Sequence, residues 1–302
     1  MFQKHNNLYK QDTATAWAFA LPALLGLLCF VLLPFLLALV LSFTNLRLGS
    51  PLPTEFMGLT QYEHIFTDSA FLHAIKNNTM FAFIVVPLQT TLALILALLI
   101  NQPLRGMVGF RTLFFMPVVF PLSLVSVVWI LLFAPGSQGT INSVLEFITL
   151  DAWQPRDFLH DSTWALPAIT LTSIWQGVGF QMVILLAALQ SIPAELYEAA
   201  KVDGANKRQQ LLFITLPQLR NALIFVVLVT TILAFRLFDQ VQIMTQGGPL
   251  HATTTVMYEA VNTAFARQQV AKGAAMTVVF FSIVLLLTLL QRYAIKHEKV
   301  IE

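Results

Sequence analysis

Charge is scarce in this sequence. Of its 302 residues only 11% are Asp, Glu, Lys or Arg, less than half of the roughly 25% usual in soluble domains. A soluble enzyme or a disordered regulator is thereby excluded, because neither could keep its surface in water with so thin a polar coat. The one cysteine, Cys29, sits in an apolar run, so a disulfide-stapled secreted module and a paired-cysteine metal site are excluded as well. The net charge of +2 is too small to argue for nucleic acid. The sequence also has no Gly-x-x-x-x-Gly-Lys-[Ser/Thr] phosphate loop, no His-Glu-x-x-His and no Gly-x-Ser-x-Gly elbow. Its six histidines (His5, His64, His73, His160, His251 and His297) are scattered, and no metal site is expected.

What the chain has instead is long charge-free runs. With 57% hydrophobic residues and a mean hydropathy of +0.74, its solvent over much of its length is lipid. A membrane-crossing helix takes about 20 mostly apolar residues. The gaps between charges predict an all-α membrane protein with six such helices, at about 16–42, 79–101, 112–134, 164–190, 219–243 and 273–293, in a single membrane domain over 1–302. Lys4 and Lys10 before the first span suggest a signal peptide, but its core exceeds the 7–15 residues of such a segment and no small-residue cleavage site follows. It reads as a retained anchor. Pro87 and Pro117 are expected to kink or open their spans, and Gln89, Thr90 and Thr91 to hydrogen-bond between helices.

The few charges set an orientation. With the N-terminus in the cytosol, that side carries Lys4, Lys10, Arg105, Arg111, Lys201, Lys207, Arg208, Arg220, Arg292, Lys296 and Lys299. The other side carries Arg47, Lys76, Arg156, Arg267 and Lys272, and Arg236 falls within the fifth span. Eleven basic residues against five favour an N-in, C-in arrangement. The outer loops are acid-rich, with Glu55, Glu63, Asp68, Glu146, Asp151, Asp157 and Asp161.

Between spans four and five lies a polar segment, Ser191 to Pro217. Ser191 is placed to cap a short helix with Pro193 in its first turn. Leu196, Ala199, Ala200 and Ala205 supply a small-residue face, and Gly204 lets the chain turn. Asn206 can cap a second helix, whose apolar side is Leu212, Phe213 and Leu216. Pro217 then bends it toward span five. The result is a cytosolic helix–turn–helix elbow, which on these grounds alone is either a docking element or an ordinary amphipathic connector.

That elbow resembles a known pattern. Glu198-Ala199-Ala200, Asp203-Gly204-Ala205 and Ile214-x-Leu216-Pro217 are similar, in order and spacing, to the EAA loop of ABC-importer permeases. The likeness extends to Arg111-Thr112-Leu113-Phe114-Phe115-Met116-Pro117, to Leu189-Gln190-Ser191-Ile192-Pro193, and to Phe238-Asp239 with Thr245-Gln246-Gly247-Gly248-Pro249 and Thr253-Thr254-Thr255. It covers about residues 15–295 and points to the carbohydrate-uptake group, which includes permeases for maltose, other oligosaccharides and glycerol-3-phosphate. Leu21-Pro22-Ala23 through Pro34 is typical of the group's first permease, which pairs with a different second one.

The resemblance implies a permease subunit in the inner membrane, without catalytic residues of its own. It implies three kinds of partner: a second permease subunit, two ATP-binding cassette ATPase subunits that hold the ATP and Mg, and an extracytoplasmic solute-binding protein. The elbow would be the coupling helix that docks on the ATPase, and the Gly247-Gly248-Pro249 turn would meet the binding protein. Inside the spans, lipid penalises polar side chains, so those present are functional candidates. Ser173, Gln176, Gly177 and Phe180 fall on one face of span four at i, i+3, i+4 and i+7, and Arg236, Asp239 and Gln240 share a face of span five at i, i+3 and i+4. These positions correspond to those lining the central sugar site of maltose-type permeases. Arg236 and Asp239 are equally placed to neutralise each other. Trp164 and Trp175 are expected to pack. A gradient-driven secondary transporter of a small polar solute is the alternative; it would call for inverted repeats with broken helices, and no such symmetry is visible.

Overall fold

The computed structural model describes residues 2–102, 106–137, 139–150 and 152–296. Arg105, Asp151, His297 and Lys299, counted above, lie outside the described residues. The described chain is helical, and its strand-like pairing is one isolated antiparallel bridge between Thr44 and Phe56. It forms two compact units, Met1–Thr67 with Ala260–Val279, and Asp68–Glu259 with Phe280–Glu302.

In the first unit, helix α1 (Thr15–Leu41) is apolar throughout, and the most apolar stretch of it is entirely unburied. A π turn at Leu28–Leu32 precedes Pro34, whose ring nitrogen has no N–H to give the turn before it. Helix α2 (Thr60–Thr67) is fastened by Tyr62, whose hydroxyl lies 2.7 Å from Ser42 Oγ. The Met57 amide donates to the Phe43 carbonyl at 2.7 Å, and the Leu48 amide to that of Gln268 at 2.9 Å.

The second unit contains α3 (Ser69–Ile100), α4 (Met107–Val119), α5 (Leu122–Leu132), α6 (Thr140–Ile148), α7 (Ala165–Gln190), α8 (Ala194–Val202), α9 (Lys207–Gln218) and α10 (Arg220–Phe235). After α10 come α11 (Val256–Val261) and α12 (Val270–Lys296). α7 is the central post, packed against α3, α4 and α10. Small residues allow this: a Cβ at Gly179 would overlap the Phe114 carbonyl oxygen of α4, and one at Gly177 would overlap the Gln89 amide of α3. Two apolar clusters result, one around Phe81, Trp129, Ile169 and Phe235, the other around Ala93, Met182, Leu185 and Leu219.

Among the described residues, four helices are long and apolar enough to cross a membrane: Thr15–Leu41, Ser69–Ile100, Ala165–Gln190 and Val270–Tyr293. The expected third span is a bent pair, and the expected fifth begins at a second bend. α4 and α5 meet at 100°, and α9 and α10 at 63°. The first bend corrects the role given to Pro117, which lies inside α4. The chain turns instead at Phe120, extended at ψ 140° before Pro121, because a proline ring clashes with an α-helical residue preceding it. Pro87 likewise sits within an unbroken α3.

Beyond α5 the loop is held by Asn142, which is fully buried. Its Nδ2 donates to the carbonyls of Arg156 (2.9 Å) and Ala134 (3.3 Å), while its Oδ1 accepts from Trp153 Nε1 (3.1 Å) and the Arg156 amide (3.0 Å). The Arg156 guanidinium lies 5.5 Å from both the Trp153 and the Trp164 ring, which meet edge-on 6.4 Å apart. Trp175 packs edge-on against Trp129.

Candidate functional site

A cavity of about 430 Å³ opens in the second unit where α3, α4, α7 and α10 converge. All seven residues picked out in spans four and five line it: Ser173, Gln176, Gly177 and Phe180 from α7, and Arg236, Asp239 and Gln240 from the segment after α10. Phe81 and Gln89 of α3, Gln181 of α7 and Thr230 of α10 join them. Gln89 was expected to bond between helices; it lies on the cavity wall against Gly177, and Thr90 Oγ1 is buried without a partner.

The wall carries hydroxyl and amide groups. Ser173 Oγ donates to Gln240 Oε1 at 2.5 Å, and Gln181 Nε2 donates to Thr230 Oγ1 at 2.6 Å. Each amide has thus spent one end. The other ends, Gln240 Nε2 and Gln181 Oε1, are buried with no partner. Buried polar atoms normally find one; here both glutamines line a cavity that also holds the Phe180 ring, with these two atoms themselves covered. Arg236 and Asp239 are both exposed on this wall. Arg236 and Asp239 make no salt bridge with each other and so do not neutralise each other.

The shared face expected for Arg236, Asp239 and Gln240 assumed a continuous helix. Instead α10 ends at Phe235, Arg236 to Phe238 are unwound, and a π turn follows at Val241–Thr245. Unwinding frees carbonyl groups, which is tolerated at membrane depth only where other groups satisfy them or a cavity is lined. Here side chains do it. Asn78 Nδ2 donates to the Phe235 carbonyl at 3.2 Å, and Thr255 Oγ1 to the Leu237 carbonyl at 2.8 Å.

Thr253, Thr254 and Thr255 are buried. Thr253 Oγ1 donates to the Gly248 carbonyl at 2.7 Å and Thr254 Oγ1 to that of Gly247 at 2.9 Å, so they hold the Gly247-Gly248-Pro249 turn. Asn77 Nδ2 donates to the carbonyls of His251 (2.7 Å) and Thr254 (3.0 Å). Asn77 and Asn78, which polarity within a span should have flagged, went unnoticed in the sequence; both lie near the charged Lys76 at the start of the run.

The elbow forms with one change at its start. Pro193, not Ser191, occupies the cap of α8; Ser191 closes α7, its Oγ donating to the Ala188 carbonyl at 2.8 Å. A short run ending in Ile-Pro gives two caps in succession, and the serine serves the earlier helix. Glu198 and Ala199 are exposed on α8 and Ala200 is half-buried. Asp203 ends α8 and Gly204 follows at φ +77°. The Gly204 amide then bonds the Lys201 carbonyl (3.1 Å) and the Ala205 amide that of Ala200 (2.8 Å), the paired bonds of a glycine-closed helix end. Asn206 and Gln209 make a reciprocal capping box on α9. Ile214 and Leu216 are half-buried and Pro217 is exposed just before the 63° bend. Tyr197 ties the two arms through Thr215, 2.9 Å apart.

Residues 89–299 match the family of binding-protein-dependent transport system inner membrane components. The chain belongs to this family. The family is one of transport components rather than enzymes, located in the inner membrane. Among this component's relatives, the lactose transport system permease protein LacF of Rhizobium radiobacter is 33% identical over 298 residues, covering 97% of this chain and 98% of that protein. The sn-glycerol-3-phosphate transport system permease protein UgpA of Yersinia pestis bv. Antiqua is 32% identical over 241 residues, 80% of each. The fold is shared with a bacterial ABC transporter involved in the import of the acidic polysaccharide alginate, with a TM-score of 0.82, 22% identity and coverage of 97% of this chain and 99% of that one.

Proposed function

We propose that this inner membrane component is the permease subunit of an ATP-driven importer for a carbohydrate or related polyol. The observation that carries the reading is the cavity, whose lining brings together serine, threonine and glutamine side chains, an aromatic ring and the opposite charges of Arg236 and Asp239. Solutes rich in hydroxyls need such a wall, and relatives named for lactose, for glycerol phosphate and for sulfoquinovosyl glycerol support that class.

In this reading the N- and C-termini and the elbow are cytosolic. A binding protein delivers the solute on the outer side, and a second permease completes the passage. Two ATPase subunits bind ATP and Mg and act on the elbow through Glu198, Ala199, Ala200, Asp203, Gly204, Ala205, Ile214, Leu216 and Pro217. The exposed Val202 (88%) and Phe213 (75%) fit an elbow seated in another subunit. Ser173, Gln176, Gly177, Phe180, Arg236, Asp239 and Gln240 line the path. This chain performs no chemistry; it transmits movement and recognises the solute.

Reconstitution tests this reading. Liposomes carrying the permease pair with its ATPase should take up solute only when ATP is inside and binding protein outside. Uptake driven by an ion gradient without the ATPase would establish the secondary-transporter alternative instead.

A further inference from the structure

We propose that Asn78 is a positioning residue for the transport path. Its carboxamide is fully buried and joins two segments far apart in the chain. Nδ2 donates to the carbonyl of Phe235, the last residue of α10, at 3.2 Å. Oδ1 accepts from the amide of Val256, the first residue of α11, at 2.8 Å. One side chain of α3 therefore holds both the break that presents Arg236 and Asp239 to the cavity and the end of the outer loop that contains the Gly247-Gly248-Pro249 turn.

The break needs such a holder. In a continuous helix the Phe235 and Leu237 carbonyls would accept from amides four residues on. Unwinding removes those partners, and a freed carbonyl in a dry interior makes rewinding favourable. Asn78 and Thr255 replace both partners with side-chain donors, so the unwound form is the satisfied one. Thr255 adjoins Val256, so both donors are anchored at the same place, where the outer loop meets α11. A shift of that loop is transmitted to the cavity wall through two hydrogen bonds. Asn78 touches no solute in this scheme; it acts through Arg236 and Asp239.

The claim that this wall recognises solute rests on the function proposed above, and the test separates the two. In a Cys29→Ser transporter assembled in membranes, a reporter thiol is placed by Asp239→Cys, or by Gln176→Cys on the opposite wall. The rate of modification by a small charged methanethiosulfonate is measured for each. Adding Asn78→Ala or Thr255→Val should change the rate at position 239 by at least about fivefold, the scale on which loss of one hydrogen bond shifts an equilibrium, with little change at 176. Valine has nearly the shape of threonine, so Thr255→Val decides the matter if Asn78→Ala fails to assemble. Unchanged rates at 239, or equal changes at both positions, would overturn the proposal. If uptake survived full blocking at 176, the functional reading would fail while the positioning role stood.

Discussion

Ser173 and Gln240 meet across the wall of the cavity at 2.5 Å, tying α7 to the segment that follows the break. The bond fixes the Gln240 amide with Oε1 toward Ser173 and leaves Nε2 buried without a partner. Ser173→Ala should leave Gln240 Oε1 without its donor and release the side chain. Because Gln240 is buried, the stability cost is about 1–3 kcal/mol, measurable as a lower unfolding temperature of the detergent-solubilised complex. Solute preference should change as well. An unaltered unfolding temperature together with unaltered preference would show that the bond has no consequence.

The two glycines of α7 should respond differently to alanine. At Gly179 the new methyl meets backbone, the Phe114 carbonyl, which cannot move unless α4 moves. At Gly177 it meets the end of the Gln89 side chain, which can turn away into the cavity. Gly179→Ala is expected to cost about 1–3 kcal/mol or more through overpacking and to lower the amount of assembled transporter. Gly177→Ala should assemble normally and alter uptake. Quantitative immunoblots of membranes alongside uptake rates check this, and the reverse order would contradict the packing.

Much of this architecture was legible in the sequence because lipid excludes charge. Runs free of Asp, Glu, Lys and Arg marked α1, α7, most of α3 and α12, the bent pair α4 with α5 beyond Arg111, and α10 beyond Arg220. Composition does not see where a carbonyl finds its donor. The freed carbonyl of Phe235 is met by Asn78, 157 positions away, and that of Leu237 by Thr255, so local periodicity carried the span straight through the break. Local signals were sounder in the elbow, where Gly204, Asn206 and Gln209 act on neighbours within a few residues. The cavity residues were found on α7 because three polar or small residues and one aromatic recur at helical spacing. Gln181 and Thr230 were missed because each is an isolated polar residue whose partner lies on another helix.

Gly204 is a further place where backbone conformation decides. Its φ of +77° disfavours any side chain, although no atom stands within 4 Å of where a Cβ would be. Gly204→Ala should therefore cost about 1–2 kcal/mol through strain alone, and Gly204→Val more. Each should reduce ATP-driven uptake per assembled transporter while leaving the order of preferred solutes intact. Stopped-assay uptake normalised to the bound ATPase provides the comparison. Normal uptake by Gly204→Val would argue that the elbow does not couple the subunits.

The central claim is that solute passes through the cavity between α7 and the broken helix. Covalent blocking tests it most directly: a Cys29→Ser, Gln176→Cys transporter is reconstituted with its partners and treated with a bulky maleimide, and ATP-driven uptake is measured before and after. The account predicts that uptake is lost in proportion to modification while the complex remains assembled. Full uptake by the fully modified transporter would place the path elsewhere.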